Sequence, residues 1–504
     1  MYAWGMATSV RETERKYEAP AGTALPDLAG LPGVAAAAGP EEQRLEAVYY
    51  DTPDLRLARA GLTLRRRTGG HDAGWHLKLP VGGDTREEVR LPVGEAAEHP
   101  PEELGALVRV HARGRELGPV ARIETTRQRW QLVDAHGELL AEVVEDLVSA
   151  QAVPDGTGAD SWREIEVELG EGGEPKLLKR VERLLAEAGI RRSTSSAKLT
   201  RLLADRLSSP GPAPGSAGTA GGVVLAYLRE QADALKRQDP RVRRQEDDAV
   251  HQMRVATRRM RSALQAFGSI VDRDRTRELT DELKWLAGVL GQARDLEVLR
   301  GRFEGVVAGL EPELVPGPVA ARLTRHFAPL ETEAQRALVA ALDSSRYFAL
   351  LDAVDALLAD PPLTPLADRK AVKVLPSLVE RTYRRLAKRA AEATRHIGDD
   401  DTALHETRKA AKRLRYAVEA VEPLFGKRAT RYRKRLKALQ ELLGEHQDSV
   451  VARPVLRELG AQAQRDNENA FAFGLLHGLE QGRARHAEER FPAAWRALGR
   501  PKLS

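Results

Sequence analysis

The chain has 504 residues, which is enough for two or more domains with separate hydrophobic cores. Lysine and arginine outnumber aspartate and glutamate by 79 to 74, and this basic balance favours a polyanionic partner. The absence of cysteine excludes disulfide bonds and thiolate metal sites, and no apolar run approaches the roughly 20 residues of a membrane span.

Residues 1–10 lack the basic start and long apolar centre of a secretory signal, so we expect a cytoplasmic protein that begins at Met1 or Met6.

A charged alternation follows at residues 12–16. In a strand, Glu12, Glu14 and Lys16 project from one face. Two carboxylates can hold a hard divalent cation, and the lysine can hold the phosphate that the cation accompanies. A short run of this kind is more often a solvated face, so the interpretation depends on whether the pattern recurs.

The alternation does recur through the first 207 residues. Strands with one charged and one apolar face are predicted at residues 48–52, 62–67, 75–79, 86–91, 127–132, 139–147 and 164–168. An ordinary sandwich would turn the apolar faces inward and the charges to water. Here some strands carry mainly arginine and lysine and others only carboxylates, which a solvated surface does not require. We therefore predict a closed barrel of about eight strands whose charged interior holds an ionic ligand, because unpaired buried charge is costly.

Several motifs follow one another along this region: Glu12-x-Glu14-x-Lys16, Tyr49-Tyr50-Asp51-Thr52, Leu64-Arg65-Arg66-Arg67, Trp75-His76-Leu77-Lys78, Arg86-Glu87-Glu88, the pair Glu142 and Asp146, and Glu164-Ile165-Glu166-Val167-Glu168. In this order they resemble the motifs of a CYTH domain of the triphosphate tunnel metalloenzymes. The similarity covers about residues 8–205. The resemblance implies an eight-stranded antiparallel tunnel that hydrolyses a triphosphate with Mg²⁺ or Mn²⁺.

The resemblance also implies roles for individual residues. Glu12, Glu14 and Lys16 would form the catalytic set. Phosphate oxygens would be bound by Lys16, Arg65, Arg67, Lys78, Arg86 and Arg129, joined by Arg127 and Lys198. Metal would be held, directly or through water, by Glu12, Glu14, Glu142, Asp146, Glu164 and Glu166, and Glu168 continues the same face. Bidentate arginines with a metal suit phosphoryl transfer, which needs positioning and charge neutralisation.

The composition changes at residues 208–222, where proline, glycine, serine and alanine predict a flexible linker between a domain at 8–207 and a second at 223–500. From residue 223 onward the apolar spacing is helical throughout. Residues 251–261 return as residues 405–415, and Leu290-Gly291 with Asp295 returns as Leu443-Gly444 with Asp448. A duplicated unit accounts for this, with repeats at about 223–345 and 346–500.

Each repeat places a histidine and several basic residues on one helical stripe. A solvated basic face would give the same pattern in one helix, but like charges at this spacing oppose helix formation and here occur twice. Two facing stripes would form a groove for a linear polyanion. The repeats resemble a CHAD domain over about residues 223–500, which implies binding of inorganic polyphosphate. The candidate residues are His251, Arg254, Arg258, Arg261, His405, Arg408, Lys412, Arg413 and Arg415, with Lys409, Arg259 and His446 behind them. Arg294 departs from the pattern, since the second repeat has His446 there.

The predicted fold class is multidomain α+β: an N-terminal eight-stranded antiparallel tunnel or barrel with peripheral helices, then an all-α domain of two repeated helical bundles. The predicted function is metal-dependent hydrolysis of inorganic triphosphate or short polyphosphate by a cytoplasmic enzyme associated with polyphosphate granules. Two alternatives stay open: a non-catalytic polyphosphate-binding protein, and a tunnel enzyme acting on thiamine triphosphate or a nucleotide. The low aromatic content of 5% argues against a nucleic-acid partner that stacks bases.

Overall fold

The computed structural model describes residues 8–20, 22–93, 98–153, 159–208, 218–398 and 401–503. The chain divides into two compact units, Met1–Pro210 and Gly211–Ser504. Most of the predicted linker, residues 209–217, lies outside the described residues. The first helix of the second unit begins within the predicted linker, at Ala220, because the Thr219 side chain caps it by accepting a hydrogen bond from the Gly222 amide.

The first unit is a closed barrel of eight antiparallel strands, which confirms the predicted fold class. The strand order is β5-β4-β3-β2-β6-β7-β8-β1, and pairing between β1 and β5 closes the ring, while the short β9 pairs with the end of β1. The strands are β1 (Thr8–Glu18), β2 (Ala36–Asp51), β3 (Thr63–Thr68), β4 (Gly74–Gly82), β5 (Thr85–Leu91), β6 (Gly118–Val133), β7 (Leu139–Ala152), β8 (Asp160–Leu169) and β9 (Arg191–Arg192).

Helices cover the outside of the barrel, and their contacts explain which strand face turns inward. They are α1 (Arg56–Arg59), α2 (Glu102–Ala112), α3 (Pro175–Glu187), α4 (Lys198–Leu202) and α5 (Ala204–Leu207). Val143 and Ile165 pack outward with Val181 of α3, and Leu77 packs with Leu107 of α2 in a second apolar cluster. Burying a side chain of this size contributes about 1.5–3 kcal/mol. Since side chains alternate along a strand, burial of the apolar face outside leaves the charged face inside.

The second unit is helical. Its helices are α6 (Ala220–Arg243), α7 (Ala249–Ala266), α8 (Arg277–Ala308), α9 (Val319–Leu342), α10 (Ser345–Ala359), α11 (Ala371–Arg395), α12 (Asp401–Ala420), α13 (Glu422–Phe425), α14 (Lys427–Arg465) and α15 (Phe471–Leu498). The repeated motifs lie on α7 and α8 in the first repeat and on α12 and α14 in the second.

The two repeats pack together through two sets of contacts. Helix α7 contacts α12, which brings the repeated basic segments next to each other. An apolar core joins α8 and α9 to α14 and α15, with Phe303, Phe327 and Phe473 at its centre. Among the described helices, none combines the length and the apolar composition that crossing a membrane requires.

Candidate functional site

The interior of the barrel is a charged cavity of about 470 Å³. Its lining includes most of the residues predicted to bind phosphate or metal in the first unit. They come from seven strands and one helix: Glu12, Glu14, Lys16, Arg65, Arg67, Lys78, Arg86, Arg127, Arg129, Glu142, Glu166, Glu168 and Lys198. The two remaining predicted residues, Asp146 and Glu164, contact Lys198. The barrel therefore brings the whole predicted set together around one cavity.

One part of this site is a cluster of three carboxylates around the Lys198 ammonium. The Nζ atom of Lys198 lies 2.8 Å from Asp146 Oδ2, 2.7 Å from Glu164 Oε1 and 2.7 Å from Glu166 Oε1. Oxygen atoms of the three acids all lie within 4.8 Å of one another, close enough to share one cation. The three carboxylates together raise the pKa of Lys198 well above its ordinary value despite burial. Lys198, predicted to bind phosphate, is thus the counter-ion of this acidic cluster.

Lys16 and Arg127 complete the environment of these three acids. Lys16 pairs directly across the sheet with Glu166 and forms an ion pair with it. The Arg127 guanidinium donates two hydrogen bonds of 2.7 Å to the Asp146 carboxylate. Burial opposes ionisation, but Lys198 and Arg127 hold the pKa of Asp146 below its usual range, and Lys16, Lys198 and Arg127 do the same for Glu166. The cluster is therefore anionic and suits a hard divalent cation.

The second group of carboxylates consists of Glu12, Glu14 and Glu168. Glu14 lies opposite Glu168 across the β1–β8 pairing. Burial, followed by the neighbouring Glu12, raises the pKa of Glu168 to about 8, with further contributions from Glu14 and Glu142. Glu14 is buried, and its cations lie at longer range, at 3.6 Å for Lys16 Nζ, 3.9 Å for Arg86 Nη1 and 4.0 Å for Lys78 Nζ. The raised pKa of Glu168 reflects its burial beside other carboxylates, so a cation bound there would stabilise its ionised form.

The cationic wall consists of Lys16 on β1 and of basic residues on β3, β4, β5 and β6. Burial lowers the pKa of Arg67 to about 9, with help from Arg65 and Arg127. The Lys78 ammonium lies 2.5 Å from Glu12 Oε2, and acidic neighbours raise the pKa of Lys78 to about 12 against the effect of burial. Arg86 donates to the Ser196 carbonyl at 2.6 Å, and Arg129 lies 2.6 Å from Glu142. Glu142 is therefore paired with a phosphate-binding candidate and is separate from the three-acid cluster.

Three residues of the same charge network lie outside the predicted set: Glu88, His76 and Arg90. Glu88 is buried, accepts a hydrogen bond from Arg90, and lies 3.0 Å from the His76 Nδ1 atom and 3.8 Å from Lys78. His76 and Lys78, the largest favourable neighbours, keep the pKa of Glu88 well below its usual range against burial. Burial lowers the pKa of His76 to about 4, so this histidine is a neutral hydrogen-bonding partner. The sequence contained a signal for Glu88 and Arg90, because they share one strand face with Arg86, which was in the predicted set.

In the helical unit, the two predicted basic stripes face each other where α7 packs on α12. After burial, the largest influence lowering the pKa of Lys412 is Arg258 of the other repeat, and Arg408 and Arg254 follow. These influences bring the pKa of Lys412 to about 6. Arg261 likewise lies near Arg413, and burial with this neighbour lowers the pKa of Arg261. The contact therefore concentrates positive charge from both repeats where α7 meets α12.

Two repeated glycines position the central arginines of this surface. A Cβ atom added to Gly291 of α8 would lie 3.3 Å from Arg254 Nη2, and one added to Gly444 of α14 would lie 3.4 Å from Arg408 Nη2. Each guanidinium thus lies over a glycine of the neighbouring helix. Arg254 also lies 2.8 Å from Asp295, and Arg408 lies 3.9 Å from Asp448. The repeated Leu-Gly and Asp positions, noted in the sequence without a role, hold these arginines in place.

Four arginines of the predicted stripes keep a buried donor unused. The Nε–H groups find no hydrogen-bond acceptor among the residues that the structure describes in Arg254, Arg261, Arg408 and Arg415. Burying an unpaired donor costs about 1–3 kcal/mol. An anion bound between α7 and α12 would supply the acceptors.

The histidines and the outer candidates differ in their surroundings. Burial, followed by Arg294, lowers the pKa of His251, and burial also lowers the pKa of His405, whose Nδ1 contacts the Gln447 amide oxygen. Arg259 lies 2.8 Å from Glu419, and Lys409 lies 2.7 Å from Glu406. These two cations already have acidic partners. His446 is buried and faces carboxylates on two other helices, Asp401 at the start of α12 and Glu488 on α15.

The lowered pKa of Lys412 predicts a pH-dependent stability. Because its pKa is about 6 when folded against an ordinary 10.5, the unfolded chain binds an extra proton at neutral pH, and this cost shrinks as the pH rises toward 10.5. We expect Lys412→Met to raise the melting temperature at pH 7, with a smaller difference at pH 10. Lys409→Met, at an exposed position paired with Glu406, is the matched control. Equal melting temperatures for wild type and Lys412→Met at both pH values would contradict the prediction.

The comparisons with known proteins cover both units. A family model of the CYTH domain matches residues 10–203, and a model of the CHAD domain matches residues 226–457. Two Mycobacterium tuberculosis proteins, uncharacterized protein MT2285 of strain CDC 1551 / Oshkosh and uncharacterized protein Rv2226 of strain ATCC 25618 / H37Rv, are each 39% identical over 509 residues, which is 97% of this chain and 96% of theirs.

Two solved structures are similar to parts of the chain. The CHAD domain from the plant Ricinus communis is 31% identical with a TM-score of 0.46, and the match covers 59% of this chain and 100% of that one. PptA from Streptomyces chartreusis is 26% identical with a TM-score of 0.46, and the match covers 55% of this chain and 99% of that one. On the family models and the full-length relatives, the chain belongs to the CYTH and CHAD families, with a CYTH domain followed by a CHAD domain.

Proposed function

We propose that this protein is a metal-dependent hydrolase of inorganic triphosphate or the end of a short polyphosphate, and that its helical domain binds inorganic polyphosphate. The observation that carries the proposal is the barrel cavity, in which cationic side chains and clustered carboxylates line the same space. A phosphoanhydride chain with a divalent cation carries both complementary charges. Phosphoryl transfer requires mainly positioning and charge neutralisation, which such a cavity supplies.

The carboxylates fit a hard divalent cation. Oxygens of Asp146, Glu164 and Glu166 lie close enough to share one ion. Glu12, Glu14 and Glu168 add a second group, in which burial and then the neighbouring Glu12 raise the pKa of Glu168. These residues would hold Mg²⁺ or Mn²⁺, with Glu142 at the edge of the set. Such an ion would supply charge neutralisation at the phosphate oxygens and activation of the attacking water.

The cationic wall would bind the phosphates. Its members are Lys16, Arg65, Arg67, Lys78, Arg86, Arg127 and Arg129. In the free protein several of these cations pair with carboxylates of the cavity. On binding of substrate and metal, the cations would pair with phosphate oxygens and the carboxylates with the metal ion. Lys198, whose present partners are the three clustered acids, would move to phosphate when a metal ion neutralises those acids.

The cavity favours an inorganic substrate. Among the described residues that line it, Tyr49 is the single phenylalanine, tyrosine or tryptophan, and its hydroxyl accepts a 3.3 Å hydrogen bond from Arg65. A nucleotide base or a thiamine ring would stack on an aromatic face of this kind. This composition supports triphosphate over an organic triphosphate.

In the helical domain, the paired stripes of α7 and α12 would bind a linear polyphosphate chain. The supporting observation is the set of unused arginine donors beside mutually lowered pKa values of basic residues. A tethered domain that holds polyphosphate would raise its effective concentration near the barrel. We place the protein in the cytoplasm, in association with polyphosphate granules.

The test is phosphate release by the full-length protein from inorganic triphosphate, ATP, thiamine triphosphate and long polyphosphate, with and without Mg²⁺ or Mn²⁺. We expect metal-dependent release that strongly prefers inorganic triphosphate. No release from any of the four compounds, with tight polyphosphate binding retained, would replace the hydrolase by a binding protein. Preferential release from ATP or thiamine triphosphate would overturn the substrate assignment.

A further inference from the structure

A second group of potential metal ligands lies in the helical unit, outside both sites described above. It consists of His446 on α14, Asp401 at the start of α12 and Glu488 on α15. The His446 Nε2 atom lies 3.1 Å from Glu488 Oε1 and 3.2 Å from Asp401 Oδ1. One atom from each of three helices therefore converges on one point.

The spacing of these three atoms suits a small metal ion. Zinc binds imidazole nitrogen and carboxylate oxygen at about 2.0–2.2 Å in a tetrahedral arrangement, so its ligand atoms lie about 3.4 Å from one another. The two measured separations, 3.1 and 3.2 Å, are near this value, and all three atoms lie within 4.8 Å of one another. Small side-chain movements would place an ion between them.

Burial and the surrounding hydrogen bonds also suit a metal site. The His446 side chain is 2% exposed, Glu488 is 18% exposed and Asp401 is 46% exposed, so the imidazole is fixed while the aspartate side is open to entry from solvent. Arg453 Nη2 donates to Asp401 Oδ2 at 3.1 Å, which leaves Oδ1 directed at the histidine. Such an outer contact orients a metal-binding carboxylate.

The internal repeat supplies an independent comparison. The position equivalent to His446 in the first repeat is Arg294, a permanent cation that lies 2.6 Å from Glu297. The second repeat has an imidazole there, which is a metal ligand when neutral, and it faces two carboxylates. The fixed positive charge of one repeat is thus replaced in the other by a group that can bind a cation.

We propose that Asp401, His446 and Glu488 form a zinc site that ties the start of α12 to α14 and α15. Imidazole with carboxylates favours Zn²⁺ over the Mg²⁺ or Mn²⁺ expected in the barrel, and a water molecule can take the fourth position. Because α12 carries His405, Arg408 and Lys412, the site stabilises the helix that contributes half of the basic groove. This inference is independent of the proposed hydrolase activity.

The test is the stoichiometry of zinc binding to the full-length, metal-stripped protein, measured by competition with a chromophoric chelator in excess Mg²⁺ to occupy the barrel. We expect wild type to bind one more zinc equivalent than His446→Ala and Glu488→Gln, and to gain thermal stability with zinc that both variants lose. His486→Ala, at an exposed histidine of the same helix α15, is the control and should bind as wild type does.

Replacing the buried His446 could disturb folding, so a second variant, Asp401→Asn, is also measured. Asp401 is partly exposed, and its replacement should leave the fold intact. It should lose the same zinc equivalent while its melting temperature without zinc stays near that of wild type. Equal zinc stoichiometry in wild type, His446→Ala and Asp401→Asn would overturn the site. The same conclusion would follow if His486→Ala lost the equivalent as well, since that pattern would indicate adventitious surface binding.

Discussion

Replacing Glu14 by glutamine should lower metal-dependent phosphate release from inorganic triphosphate by about 100-fold or more. Glutamine keeps the size of the side chain and removes its charge. Glu14 is buried, and Lys16 and Lys78 hold its pKa below the usual value although burial opposes this, so it is an anion in the free protein. Loss of that charge weakens metal binding in the second carboxylate group and leaves the phosphate-binding wall unchanged.

The measurement is the initial rate as a function of Mg²⁺ and Mn²⁺ concentration. We expect the metal dependence of Glu14→Gln to shift to higher concentration, while polyphosphate binding by the helical domain stays at the wild-type level. Glu46→Gln is the matched control, because Glu46 is 53% exposed on strand β2 of the same barrel and lies 3.7 Å from Arg122. Unchanged turnover in Glu14→Gln would remove Glu14 from the metal site.

Much of the barrel could be predicted from the sequence, for a physical reason. A strand repeats every two residues, so Glu12, Glu14 and Lys16 had to share a face, and the apolar faces of later strands, with residues such as Val143 and Ile165, had to find a covering layer. The closure of the ring and the inward direction of the charged face followed from the segregation of acidic and basic strands. Glu88 and Arg90 could have been predicted as residues of the cavity by the argument that predicted Arg86.

The surroundings of Lys198 could not be predicted in this way. Lys198 begins the short helix α4, and its position among Asp146, Glu164 and Glu166 depends on how that helix packs against the barrel. Local periodicity carries no information about this contact. Its basic character and its place in the motif therefore suggested a phosphate ligand, whereas in the free protein it neutralises carboxylates.

In the helical domain, too, some features could be predicted from the sequence and others could not. Spacings of three and four residues placed Arg254 and Arg258 on one stripe, and the repeat predicted a second one. The packing of α7 on α12 is a tertiary contact, and so is the placement of Arg254 over Gly291. The position of His446 follows from neither periodicity nor repetition, because its partners lie on α12 and α15 and the first repeat has an arginine there.

The other large effect is expected from reversing two charges of the groove. Arg254→Glu combined with Arg408→Glu should lower affinity for polyphosphate by about 100-fold or more, since each hydrogen bond from a charged donor contributes about 1.5–3 kcal/mol. The slope of log affinity against log salt should fall by about 1–2 units, because fewer cations are released from the polyanion. The measurement is a binding titration at several salt concentrations with the full-length protein.

The control separates a groove from a general charge effect. Arg336→Glu with Arg384→Glu makes the same change in net charge at arginines that are 69% and 75% exposed, outside the paired stripes. If binding depends on the groove, the Arg336→Glu and Arg384→Glu variant keeps near wild-type affinity for polyphosphate. Equal losses of affinity in the two double variants would contradict binding in the groove. Because Arg254→Glu places a carboxylate beside Asp295, repulsion could disturb the fold, so the Arg254→Gln and Arg408→Gln pair is measured as well. It removes the two positive charges without adding negative ones, and its affinity must also fall if the two guanidinium groups bind the polyanion.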